Sequence, residues 1–182
     1  MTLSLAGKVI AITGALEAIP HAFGGALALA YYAEPRATID IDLNVFVPVD
    51  RFPEVARSLA RLGVAMDAPG VAQKVKREGQ ARAMWEATPV DLFFSYDPFH
   101  AAAAAGRHAV PFADTTIPIL AAEHLIICKV IFNRSKDWID IDAMVDLGTS
   151  VDGAEILRWV GRIAGDEDPR FERIAAVLMH RL

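Results

Sequence analysis

The sequence has a single cysteine, Cys128, among its 182 residues. One cysteine excludes an internal disulfide, and its position in an apolar run predicts a buried, inert thiol rather than a nucleophile. No uninterrupted apolar run reaches the ~18 residues that would indicate a membrane-spanning helix. The N-terminal segment contains Lys8 and Glu17 and lacks a basic start followed by an apolar run. We therefore expect no signal peptide, no membrane partner and a cytoplasmic location.

Positively charged residues are also fewer than negatively charged ones. The 18 Lys and Arg residues are outnumbered by 23 Asp and Glu, and the formal net charge is -5 at pH 7. This balance does not suggest non-specific binding to nucleic acid through neutralised phosphates, although a local basic patch could still recognise one RNA end. Zinc is not indicated either, because His100 and His108 lack the i, i+4 spacing and an obvious third ligand.

Apolar residues, in contrast, are abundant. They make up 54% of the sequence, and the mean hydropathy is +0.32, with much of this from alanine. The length allows one domain with a substantial core. The strand and helix patterns along the chain predict an α/β (α+β) fold. We predict a single domain over residues 1–182, with a core at about 20–120 and a helical C-terminal part at about 121–182.

The most informative stretch covers residues 36–47, Arg-Ala-Thr-Ile-Asp-Ile-Asp-Leu-Asn-Val-Phe-Val. Its alternation predicts a strand with Ile39 and Ile41 on the apolar face and Asp40 and Asp42 together on the other face. Two converging carboxylates repel each other unless a cation lies between them. Mg²⁺ or Mn²⁺ would fill that place, because hard divalent cations bind carboxylate oxygens. The alternative is the solvated face of an amphipathic strand.

A pair of glycines precedes this stretch. Gly24 and Gly25 follow a predicted strand, His21–Phe23, and lead into helix-forming residues 26–33. Paired glycines permit positive φ and close approach of backbone N–H groups, and a helix N-terminus suits phosphate. The alternative is an ordinary strand-to-helix connection with glycine for packing. Arg36, between this helix and the next strand, either contacts a substrate phosphate or pairs with an acid at the helix end.

In this order the motifs resemble those of the nucleotidyltransferase superfamily, whose members have a DNA polymerase β-like fold. The resemblance implies a small mixed β-sheet core flanked by helices, with further helices at the C-terminus. The glycine pair and the segment Arg36-x-Thr38-x-Asp40-Ile-Asp42 are similar to its turn and its Asp-x-Asp strand. Lys129 and the run Arg134-Ser-Lys-Asp137-Trp-Ile-Asp140 resemble the Lys…Arg-x-Lys-Asp-x-x-Asp pattern of the AbiE-toxin-like branch. The resemblance spans roughly residues 22–145. It departs from many superfamily members at Gly25, where they carry serine.

The resemblance implies a Mg²⁺-dependent enzyme that transfers a nucleoside monophosphate from a nucleoside triphosphate (NTP) to an acceptor hydroxyl. A toxin-type enzyme would act on RNA or tRNA and have an antitoxin protein as its partner. The alternatives are an antibiotic- or protein-modifying enzyme and a non-catalytic nucleotide- or partner-binding module. The metal ligands that the resemblance implies are Asp40, Asp42 and Asp91, the last on a later strand. The catalytic residues that it implies are these three carboxylates, a lysine and a further aspartate, namely Asp40, Asp42, Asp91, Lys129 and Asp137. The residues implied for nucleotide binding are Gly24, Gly25, Arg36, Thr38 and Arg134.

Several of these residues have structural alternatives. Asp91 could cap a turn after Pro89, and Asp137 could pair with Lys129 or Arg134. Asp137 shares a helix face with Asp140.

Two strand-like runs, residues 72–76 and 81–86, predict a charged hairpin that includes Arg82. Such a hairpin is either a solvated edge that resists aggregation or a basic contact for polyphosphate or RNA.

Overall fold

The computed structural model describes residues 2–66 and 70–181, with the backbone alone at 180 and 181. The chain divides into two compact units. We call Met1–Leu27 with Ala37–Leu120 the sheet unit, and Ala28–Arg36 with Ala121–Leu182 the helical unit. The prediction of a single domain stays a prediction.

A mixed sheet forms the centre of the sheet unit. Among the described residues it has six strands in the order β3-β4-β2-β1-β6-β5. Their bounds are β1 His21–Phe23, β2 Ile41–Pro48, β3 Gln80–Trp85, β4 Thr88–Ser95, β5 His108–Phe112 and β6 Thr115–Ile119. Strand β2 pairs in parallel with β4, and β1 with β6, whereas the other neighbours are antiparallel. The predicted mixed α/β fold class is confirmed.

Helices accompany this sheet. The sheet unit contains α1 (Leu5–Ala15), α3 (Phe52–Ala60), α4 (Val71–Glu78) and α5 (Pro98–Gly106). A short helix, α2 (Gly25–Leu29), follows β1 directly. It was predicted over residues 26–33 and is shorter, because the tyrosines that follow are weak helix formers. The N–H groups of Tyr31 and Tyr32 donate to carbonyls three residues back, which closes turns instead of extending the helix.

Alternation along the central strands separates an apolar face from a charged face. The buried side chains at every second position include Ile41, Leu43, Val45, Val90, Leu92 and Phe94. Because successive strand residues point to opposite faces, the residues between them share the other face. The fold thus presents Asp42, Asp91 and Arg82 on that second face, and it fixes their relative positions through strand register.

The Asp-x-Asp strand begins later than the alternation predicts. Strand β2 starts at Ile41, and Ile39 lies before it with 70% of its surface exposed. The prediction that Ile39 belongs to the buried face is therefore wrong. Both neighbours of β2 end their pairing near this point, at Leu43 with Phe23 and at Ile41 with Val90, so no ladder holds Ile39 in the sheet.

The predicted hairpin is half right. Residues 81–85 do lie in a strand, β3, and Glu86 lies in the turn that follows. Residues 72–76 belong to α4, and β3 forms its hairpin with β4 instead. Val71 and Val75 are one helical turn apart, and Val75 is buried, so a helical period explains the run better than an alternating one. Gly79, with φ +68, ends the helix. The dipeptide Pro69-Gly70 predicts a loop before α4, and its Pro69 lies outside the described residues.

Four helices make up most of the helical unit as described. They are α6 (Ala122–Phe132), α7 (Ser135–Asp146), α8 (Gly153–Ala164) and α9 (Pro169–Arg181), as the sequence predicted. Helix α6 contacts the other three, and most of its apolar side chains are buried, as are Trp138, Ile141 and Trp159. In the described parts of the chain, no helix has the length and apolar character needed to cross a bilayer.

Candidate active site

A row of charged side chains crosses three neighbouring strands on the second face of the sheet. Asp42 on β2 is in register with Asp91 on β4, and Asp91 is in register with Arg82 on β3. Adjacent strands lie about 4.8 Å apart, and residues in register share a face. The structure therefore brings together two of the three predicted metal ligands and adds a guanidinium beside them. We call Arg82, Asp91 and Asp42 the charged row.

Asp40 lies one residue before β2, two positions from Asp42. Its backbone N–H donates to the hydroxyl of Thr38 at 3.2 Å, and that hydroxyl donates to the Asp40 carbonyl oxygen at 3.4 Å. A threonine hydroxyl that bonds to backbone two residues ahead stabilises a local turn in place of ladder bonds. Thr38 thus orders the backbone that leads into the Asp-x-Asp segment. Its predicted contact with nucleotide stays a prediction.

The carboxylates have the oxygen donors that Mg²⁺ prefers. Within residues 2–66 and 70–181, no group of three His, Cys, Asp or Glu side chains is close enough to form a ready-made metal site. Mg²⁺ does not require one, since it commonly takes one or two carboxylates and completes its coordination with substrate phosphates and water. The in-register pair Asp42 and Asp91 fits that pattern, with Asp40 beside it.

Arg82 holds Asp91 with both arms of its guanidinium. Its Nε lies 2.7 Å from Asp91 Oδ1 and its Nη2 lies 2.7 Å from Oδ2. The Asp91 side chain is 18% exposed and that of Arg82 is 62% exposed. The hydrogen bonds and the charge of Asp91 raise the pKa of Arg82 above its ordinary value, and the charges of Asp40 and Asp42 add to this. The alternative that Asp91 only caps a turn is not what the structure shows.

The glycine turn packs directly against Asp42. The N–H of Gly24 donates to the Asp42 carbonyl oxygen at 2.9 Å. Gly25 has φ +52, and a Cβ at this position would lie 1.7 Å from Asp42 Oδ2 and 2.6 Å from its Cγ. Any side chain at position 25 would therefore displace the carboxylate. This contact explains why the turn has glycine where many superfamily members carry serine.

Replacing Gly25 by alanine should destabilise the sheet unit and move Asp42. The positive φ and the collision together should lower the free energy of unfolding by about 1–3 kcal/mol. Gly14→Ala is the matched control, because a Cβ there meets nothing within 4 Å and lies in helix α1. Urea unfolding of the three proteins measures the difference. Equal stability of the two variants would contradict the packing of this turn.

In the helical unit a buried carboxylate joins two cations. Lys129 Nζ lies 2.6 Å from Asp140 Oδ2, and both side chains are 5% exposed. Arg36 completes the cluster, with Nε 3.0 Å from Oδ1 and Nη2 3.0 Å from Oδ2 of Asp140. Arg36 therefore pairs with an acid, as one alternative predicted, but this acid lies inside α7 rather than at a helix end. The roles predicted for Lys129 and Arg36 toward substrate stay predictions.

Asp137 accepts hydrogen bonds at the start of helix α7. Its side chain is 1% exposed and accepts hydrogen bonds from Arg134 Nε at 2.7 Å, Nη2 at 3.0 Å and backbone N at 3.1 Å. The alternative that pairs Asp137 with Arg134 is confirmed, whereas Lys129 pairs with Asp140 instead. A catalytic role for Asp137 and a nucleotide contact for Arg134 stay predictions.

Sequence reasoning placed Asp140 beside Asp137 but assigned it no site. The signal was present, because a lysine on a buried helix face requires a carboxylate partner.

Acid should weaken the helical unit through Asp140. Burial raises the pKa of this carboxyl, but hydrogen bonds from Arg36 and Lys129 outweigh burial and leave the pKa below its usual 3.8. A carboxylate whose pKa falls on folding contributes stability that is present above its unfolded value and lost as the pH falls through the folded value. We expect the wild-type free energy of unfolding to decline below pH 3.8, and Asp140→Asn to decline less steeply. Equal slopes for the two proteins would contradict this assignment.

The glycine turn, the Asp-x-Asp segment and a further aspartate on a parallel neighbour together match the nucleotidyltransferase class, and solved structures of similar proteins have the same fold. ANT(2'')-Ia, an antibiotic-resistance factor studied in solution, is 16% identical over 96% of this chain and 95% of its own, with a TM-score of 0.61. Its crystal structure with adenylyl-2''-tobramycin is 18% identical over 97% of this chain and 98% of its own, with a TM-score of 0.52. An antigenic nucleotidyltransferase-like protein from Paracoccidioides brasiliensis is 17% identical over 95% of this chain and 87% of its own, with a TM-score of 0.51.

A family model described as nucleotidyl transferase AbiEii toxin, type IV TA system, matches residues 14–175. The chain belongs to this family and is a nucleotidyltransferase. The resemblance inferred from the sequence motifs is thereby confirmed. No curated protein sequence matches the chain.

Proposed function

We propose that this nucleotidyltransferase transfers a nucleoside monophosphate from an NTP to an RNA hydroxyl in a Mg²⁺-dependent reaction. The observation that carries the proposal is the in-register pair Asp42 and Asp91 on parallel strands, with the Gly24-Gly25 turn packed against Asp42. Asp42 and Asp91, with Asp40, would hold the divalent cation, for which Mn²⁺ could substitute. When bound, such a cation stabilises charge on the attacking and leaving oxygens of an in-line displacement at phosphorus.

The chain's own residues would contribute binding, orientation and proton transfer. The glycine turn lets the triphosphate approach the backbone closely, because no Cβ projects from either residue. Asp91 is the candidate to accept the proton of the attacking hydroxyl, since it is a carboxylate in the charged row. That role requires Asp91 to exchange its present partner, Arg82, for substrate and cation. Pyrophosphate is the leaving group.

The family supports the finer assignments. Its description as a type IV toxin–antitoxin system favours a toxin with an antitoxin protein as partner. The resemblance of the sequence motifs to the AbiE-toxin-like branch favours an RNA or tRNA acceptor. The NTP is a cellular metabolite, and a chain with one cysteine does not depend on an oxidising compartment, so we propose the cytoplasm as the location.

A second candidate acceptor is the hydroxyl of a small molecule. It is favoured by the likeness to ANT(2'')-Ia, whose crystal structure contains adenylyl-2''-tobramycin. The similarity covers almost the whole of both chains, but at 18% identity it carries only the fold.

The experiment that tests these proposals is a transfer assay with four NTPs labelled at the α-phosphate. Each NTP is incubated with the protein, Mg²⁺ or Mn²⁺, and one of three acceptor sources: total tRNA, tobramycin or a cell lysate. We expect label on RNA with one preferred NTP. Label on tobramycin would replace RNA by a small-molecule acceptor, and label on the protein fraction of a lysate would indicate protein modification. No transfer to any acceptor would contradict the proposed activity and favour a non-catalytic binding module.

A further inference from the structure

Arg82 occupies the carboxylate that the proposed reaction needs. Two hydrogen bonds of 2.7 Å join its guanidinium to both oxygens of Asp91. A bidentate guanidinium–carboxylate pair is geometrically selective and engages the whole carboxylate edge. While this pair persists, Asp91 cannot offer those oxygen positions to a cation or to an acceptor hydroxyl.

Charge balance explains why a guanidinium lies at this place. Asp42 and Asp91 are in register on adjacent strands, about 4.8 Å apart at the backbone, and Asp40 is two residues from Asp42. Carboxylates at such spacing repel one another unless a positive charge is near. Arg82, in register with Asp91 on the far side, supplies that charge from within the chain.

Arg82 lies where its side chain can release Asp91 and turn to solvent. Strand β3 is at one end of the strand order, and the Arg82 side chain is 62% exposed, whereas the Asp91 side chain is only 18% exposed. An arginine at an exposed edge recovers hydration when it turns away, because water replaces the lost contacts at little cost. The carboxylate can therefore change partners without a movement of the strands.

We propose that Arg82 is an internal counter-ion that competes with the divalent cation for Asp91. It neutralises the charged row before metal and nucleotide bind, and it turns away when they do. The inference rests on the proposed function, because it assumes a cation at Asp42 and Asp91. This role of Arg82 differs from both alternatives for the predicted charged hairpin, which were a solvated edge and a basic contact for polyphosphate or RNA.

The competition predicts that removing Arg82 tightens metal binding. We expect Arg82→Gln to lower the dissociation constant for Mn²⁺ about five- to tenfold, because both the competing hydrogen bonds and one repelling charge are gone. Arg82→Lys should lower this dissociation constant less, since lysine keeps the positive charge but cannot form the two parallel hydrogen bonds of a guanidinium. Free Mn²⁺ is measured by electron paramagnetic resonance in the absence of nucleotide, and circular dichroism verifies the fold of each variant.

Arg51→Gln is the matched control. Arg51 makes a similar bidentate pair with Glu54 at 2.8 Å in the same unit, and its side chain is 44% exposed. Its removal changes the net charge equally and should leave the Mn²⁺ dissociation constant unchanged. An equal effect of Arg51→Gln would show that only net charge matters and would overturn the proposal.

The outcomes separate this inference from the proposed function. If Asp40→Asn/Asp42→Asn abolishes Mn²⁺ binding but Arg82→Gln leaves the wild-type affinity unchanged or weaker, the counter-ion role is wrong and the metal site stands. If wild type and Arg82→Gln both fail to bind Mn²⁺, or binding survives in the double variant, the metal site is wrong and the counter-ion role falls with it.

Discussion

Asp42→Asn should reduce nucleotidyl transfer by at least about a thousandfold while the protein stays folded. The carboxylate of Asp42 is in register with Asp91 and lies against the glycine turn, so it combines the proposed metal-binding role with packing against the turn. Loss of a charge that stabilises a displacement at phosphorus typically costs several kcal/mol of activation free energy. Asparagine has nearly the same shape and removes a repulsive charge. The free energy of unfolding should therefore change by less than about 1 kcal/mol.

Asp50→Asn provides the control for this activity measurement. Asp50 is exposed, follows the end of β2 and changes the net charge by the same amount. Its transfer rate should equal that of wild type in the labelled-NTP assay. Transfer by Asp42→Asn within tenfold of the wild-type rate would contradict the assignment of Asp42 to the metal site.

The largest stability effect is expected at Asp140. Asp140→Ala removes the partner of Lys129, whose side chain is 5% exposed and has little access to water. Removing one member of a buried ion pair leaves the other charge uncompensated and costs about 3–5 kcal/mol. Arg36, whose side chain is 39% exposed, can turn to solvent and adds less to this loss. Chemical denaturation with urea would show the change as a lower midpoint.

Lys129→Met distinguishes a charge effect from simple loss of packing. Methionine fills similar volume without charge, and Asp140 keeps Arg36 as its partner. This variant should lose less than about 2 kcal/mol, because Asp140 stays paired with Arg36 and no buried charge is left uncompensated. A loss equal to that of Asp140→Ala, or a loss below about 1 kcal/mol for Asp140→Ala itself, would contradict the buried-pair account.

Local sequence patterns predict the central strands because burial on one face imposes alternation. The run from Val90 to Phe94 shows this alternation and lies in β4, as predicted. The short strand before Gly24 also lies where it was predicted, but it is buried at all three positions. Strand β5 was missed because it is an edge strand that contains Pro111, and proline is tolerated at edges although it breaks the usual strand signal.

At the candidate site, contacts between residues far apart in the sequence could be predicted only in part. That Asp91 would lie beside the Asp-x-Asp strand followed from the family order, and the register of β2 and β4 agrees with it. The contact of Arg82 with Asp91 depends on the register between β3 and β4, which no single strand encodes. The error at residues 72–76 hid this pairing, because it assigned β3 to a different hairpin.

Thermal unfolding with Mg²⁺ and each of the four NTPs tests the central claim most directly. A ligand that binds only the folded protein stabilises it by about 2.7 kcal/mol at a hundredfold excess over its dissociation constant. We expect wild type to be stabilised by one or more NTPs only when Mg²⁺ is present, and Asp40→Ala/Asp42→Ala to lose this effect. Absence of any nucleotide-dependent shift in wild type, or an equal shift in the double variant, would contradict a metal-dependent nucleotide site at these carboxylates.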